Sequence, residues 1–66
     1  MSPRRRVALQ IRLVVLSYDR WVRKDAAVAS AYRQRARRLL NGLDGAAQAF
    51  PDLRASLTSA RAELGL

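Results

Sequence analysis

The ten residues Trp21–Ser30, WVRKDAAVAS, decide the fold of this chain. They hold no glycine and no proline, and Asp25 is their single acid. If one helix runs straight through them, the chain cannot close on itself and needs a second copy. If the chain turns at Asp25, it closes into a bundle.

Helical phase favours the straight reading. At about 100° per residue, Val7, Ile11, Val14, Tyr18 and Trp21 share one face. Carried on without a break, Val28, Tyr32, Ala36, Leu39 and Leu43 fall on that same face, and only Asp25 interrupts the stripe. The opposing signal is charge. Arg23 and Lys24 suit a helix C-terminus and Asp25 suits an N-cap. Yet position 28 is Val, not the Glu or Gln that completes a capping box.

The flanks support a helix. Ser2 and Pro3 make a start signal, with Ser as N-cap and Pro at the first helical position. From Arg4 to Asn41 there is no Gly and no Pro, and Ala, Leu, Arg and Gln abound. The stretch Asn41–Gly45, NGLDG, reads as the strongest breaker, and Pro51 in FPDL opens a second helix. There Leu53, Leu57, Ala60 and Leu64 keep helical spacing until Gly65 supplies a stop. No strand pattern competes.

The expected fold is therefore all-α in a single small domain over residues 1–66. It is a helical hairpin with one long N-terminal helix, about 3–41, and a shorter C-terminal helix, about 51–64. The long helix would span nearly 60 Å at about 1.5 Å per residue, so the short helix covers only its second half. Its first half is apolar on two sides, with Val7, Ile11, Val14, Val15 and Tyr18 on one and Leu9, Leu13 and Leu16 on the other. Such a surface does not stay bare, which predicts a homo-oligomer seamed by Val7, Ile11, Val14, Tyr18 and Trp21. The alternative is a compact three-helix bundle, with helices near 3–23, 26–42 and 51–64.

Size points the same way. A chain of 66 residues is marginal alone and is usually helped by disulfides, a metal or association. There is no Cys and no His, and five carboxylates make a poor zinc site. No metal and no cofactor are expected. The Arg-rich start resembles a secretory signal, but Gln10 and Arg12 interrupt its apolar run. No stretch is long enough for a membrane span, and the expected location is the cytoplasm.

Chemistry narrows function by exclusion. Without His or Cys, and without an activated Ser motif, general-base and nucleophilic catalysis have no candidate. NGLDG lacks the Lys and Ser/Thr of a phosphate-binding loop. The expectation is a non-enzymatic binding protein. Its net charge of +8 comes from thirteen basic residues, twelve of them Arg, against five acids. That balance suits an anionic partner, with nucleic acid leading and an acidic protein as the other possibility. The candidate phosphate contacts are Arg4, Arg5, Arg6, Arg33, Arg37 and Arg38. The alternative is a protein–protein module (an adaptor, chaperone or inhibitor) that offers its apolar N-terminal helix. Tyr18 and Trp21 can stack on bases, but their shared stripe makes them better packing anchors. Asp19 and Arg23 are spaced for an i,i+4 ion pair.

Overall fold

The computed structural model describes residues 2–66. They form three helices and no strand: α1 (Pro3–Lys24), α2 (Ala26–Ala47) and α3 (Pro51–Glu63). The long helix over 3–41 is therefore corrected to two helices, and the three-helix arrangement is the one adopted.

The break is a single residue. Asp25 takes an extended conformation, φ −141° and ψ 109°, and serves both as C-cap of α1 and as N-cap of α2. Its Oδ1 accepts from the Ala27 amide at 2.9 Å, satisfying one of the orphan donors that open a helix. Arg23 and Lys24 close α1, where cations meet the negative helix end. The charge signal outweighed phase because phase is only nearly continuous. In α2 the buried residues are Ala29, Ala36, Leu40 and Ala47, whereas Val28 and Leu39 are exposed. The core line is turned by about 60° from the stripe that an unbroken helix predicts.

NGLDG does not break the chain. α2 runs through it to Ala47, five residues beyond the boundary near 42. Packing overrides the low propensity of glycine here. Ala47 is buried and Leu43 packs on the core, while Arg61 of α3 grips Asp44 at 2.8 and 3.0 Å and Asn41 at 3.0 Å. Beyond the backbone of its own helix turn, a Cβ at Gly42 or Gly45 would meet nothing within 4 Å. Gly42→Ala and Gly45→Ala are each expected to raise stability by about 0.8–1 kcal/mol, read by denaturant unfolding. A loss in either variant would mean that the helix does not pass through this stretch.

α3 begins as its sequence predicts. Phe50 is extended, as a residue before proline must be, and Pro51 occupies the first turn. At the far end Gly65 has φ 73°, the Leu66 amide reaches the Arg61 carbonyl at 2.8 Å, and the Gly65 amide reaches Ala62 at 3.2 Å. That pair of bonds is the glycine-terminated helix stop.

α1 and α2 are antiparallel about Asp25. α3 lies parallel to α1, since Arg4 meets Asp52 near both N-termini. The core holds Val7, Ile11 and Val14 of α1, Ala36 and Leu40 of α2, and Leu53, Leu57, Ala60 and Leu64 toward the C-terminus. The resulting rod measures 37 × 19 × 15 Å. α2 and α3 cover the Val7, Ile11 and Val14 side of α1 within the chain, while Leu9, Leu13 and Leu16 on its other apolar side stay exposed. Among the described residues, no helix is long and apolar enough to cross a membrane.

Candidate interaction surface

The structure divides the six arginines assigned to phosphate contact. Two are committed inside the fold. Arg4 forms an ion pair with Asp52, which holds that carboxyl below its ordinary value through the Arg4 hydrogen bond. Arg33 donates from Nε to the Leu64 carbonyl at 3.1 Å, placing a cation at the C-terminal end of α3. Arg5 and Arg6 at the start of α1, and Arg37 and Arg38 in α2, are exposed. Among the described residues those four make no ion pair. No contact gathers the six into one site.

The five seam residues also divide. Val7, Ile11 and Val14 are buried in the bundle core, so their apolar surface is spent within the chain. Tyr18 is half-buried, with its ring 5.9 Å from that of Tyr32. Trp21 is 41% exposed and stacks on Tyr32 at 5.8 Å and 18°, while the Lys24 ammonium stands 5.3 Å from its ring. Tyr32 and Lys24 thus engage the indole within the chain, which leaves it poorly suited to base stacking. The expected Asp19–Arg23 pair is present at 3.0 Å.

What remains open is the opposite face of α1. Leu9, Leu13 and Leu16 are 41%, 58% and 62% exposed. At about 100° per residue they fall within a ~60° arc, diametrically opposed to Val7, Ile11 and Val14. A helix with two apolar faces normally buries both, and here one stays in solvent. Arg5 and Arg12 flank this stripe on the side toward α3, Arg6 flanks it on the other, and Arg20 extends its line one turn beyond Leu16. All four are exposed and make no ion pair among the described residues. The first acid of α1 is Asp19, already paired with Arg23.

Beside this stripe, α1 and α3 enclose a groove of about 480 Å³. Ile11, Val15 and Ala60 contribute its apolar lining, Leu16 stands on its α1 wall, and Ser56 and Ser59 line its α3 wall. Arg12 and Glu63 also border it.

Sequence reasoning located the leucines but not their fate. Their alternation with the Val7 stripe predicts a helix covered on all sides, and the folded chain leaves the leucine side bare. Which face goes bare depends on where α3 lies, and the sequence of α1 does not carry that. Arg12 and Arg20 belong to no run of arginines, so charge clustering in the sequence does not mark them. No group of three or more potential metal ligands occurs among the described residues, and no buried side-chain polar atom there lacks a partner. Family models, curated proteins and solved structures contain no match to this chain.

Proposed function

We propose that the chain is a non-enzymatic binding protein whose partner is an acidic protein surface held on the solvent face of α1. The observation that carries this reading is the exposed Leu9–Leu13–Leu16 stripe bordered by four unpaired arginines. Leucine burial supplies affinity, on the order of 1.5–3 kcal/mol for each side chain fully covered. The arginines supply orientation and fast encounter, and they reject basic partners. A phosphate backbone gains little from three leucines, which is why a protein partner fits this face better than nucleic acid.

Nucleic acid is supported by a different surface. Arg35, Arg37 and Arg38 are exposed on α2, which carries no acid between its cap at Asp25 and Asp44. They belong to the sheath that tracks phosphates without reading bases.

One experiment separates the two. The chain is titrated at low salt with a synthetic amphipathic peptide rich in Leu and Glu, and separately with duplex DNA. The first reading predicts peptide binding that the Leu13→Glu/Leu16→Glu variant abolishes and that Arg35→Gln/Arg37→Gln/Arg38→Gln leaves within about twofold. Duplex binding lost only in the arginine variant, with a steep fall on adding salt, supports the second reading. A native chain that ignores the peptide refutes the first.

A further inference from the structure

The groove between α1 and α3 gives the proposed partner a seat and a shape. We propose that it receives one acidic amphipathic helix of a partner protein, laid along α1 and α3 so that partner and chain together make a four-helix bundle. This rests on the reading that α1 binds an acidic protein.

The geometry of the groove argues for a helix. Its lining is apolar at Ile11, Val15 and Ala60, and Leu16 stands beside it with 62% of its surface in solvent. The opposite wall is low, because Ser56 and Ser59 project little from α3. The Ser56 hydroxyl already donates to the Asp52 carbonyl at 3.2 Å, so covering it leaves that donor satisfied. A valley between two helices, with small residues on one side, lets a third axis approach within about 8–10 Å.

Charge selects the occupant and its register. Arg12 borders the groove, and Arg5 lies seven residues before it on the same edge of α1, beyond the groove lining. Carboxylates one heptad apart on the incoming helix match that spacing, roughly 10 Å. Glu63 borders the groove where α3 ends, and a basic residue of the partner fits there. A second copy of this chain is the wrong occupant. Its α1 offers arginine against arginine, and its net charge is also +8.

The test uses the full chain and a fluorescein-labelled helical peptide of about 20 residues, with a Leu stripe and Glu at heptad spacing beside it. A matched peptide carries Lys in place of each Glu. The decisive variant is Ser56→Gln/Ser59→Gln, which fills the groove from α3 and leaves α1 untouched. Gln is a good helix former at exposed positions, and a circular-dichroism melt confirms the fold. The expected result is binding of the Glu peptide, no binding of the Lys peptide, and at least about a tenfold loss in the Gln variant. If the Gln variant binds the Glu peptide as tightly as the native chain, while Leu13→Glu/Leu16→Glu still abolishes binding, the seat is refuted and the acidic-partner reading stands. If the native chain binds both peptides alike, or neither, the reading itself falls.

Discussion

Asp25→Ala is expected to open the hairpin and yield a dimer whose fraction rises with protein concentration. The substitution removes the carboxylate that caps α2 at the Ala27 amide, a loss of about 1 kcal/mol. It also places the best helix former at the one position that interrupts two helices of 22 residues each. With the cap gone, α1 and α2 can join end to end. Their apolar faces are close enough in phase for the fused helix to present one seam. The α1 half of one copy then packs on α2 and α3 of another, an exchange of identical elements that repeats the same contacts. Sedimentation or light scattering over a range of concentrations reads the outcome. Adding Ala26→Pro restores the native mass. Asp25 already has the extended backbone that proline demands of its predecessor, and the first helical position tolerates proline. An unchanged mass for Asp25→Ala at every concentration, with only a small fall in melting temperature, would show that the cap is not what keeps the helices apart.

The second large effect falls on one of two neighbouring leucines. Leu40 is fully buried and Leu39 is 46% exposed. Leu40→Ala leaves a cavity between the helices and costs about 2–5 kcal/mol. The whole domain is held by roughly 3–10 kcal/mol, at about 0.05–0.15 kcal/mol per residue, so the substitution removes a large share of the stability and lowers the melting temperature steeply. Leu39→Ala costs well under about 1 kcal/mol, because most of that side chain's surroundings are solvent. Thermal melts of the two variants check the phase of α2 directly. An unbroken helix over 3–41 puts Leu39 on the seam, and the pair would then exchange severities.

The two leucines also show how far the sequence could be read. Helix content, the start at Ser2–Pro3, the Phe50–Pro51 entry to α3 and the stop at Gly65 were all visible, because each depends on a residue's own backbone preference. The decision at Asp25 was not, because it compares a local cap with a long-range phase, and the two differ by little energy. NGLDG misled for the opposite reason. Its glycines weaken a helix locally, and only the α3 side chain of Arg61, seventeen residues beyond Asp44, shows why the helix persists. The arginines behaved alike. Charge alone marked Arg4 and Arg33 as available, and only the folded chain engages them with Asp52 and the Leu64 carbonyl.

α3 and its cap reach only to the level of Leu16 on α1 and Arg33 on α2, so the hairpin extends past them as two helices. Trp21, the one tryptophan, sits in that extension against Tyr32 and Lys24. Its emission is therefore a local thermometer. It reports the fraying of the hairpin tip, where two helices support each other, and not the parting of the three that meet around Leu40 and Leu57.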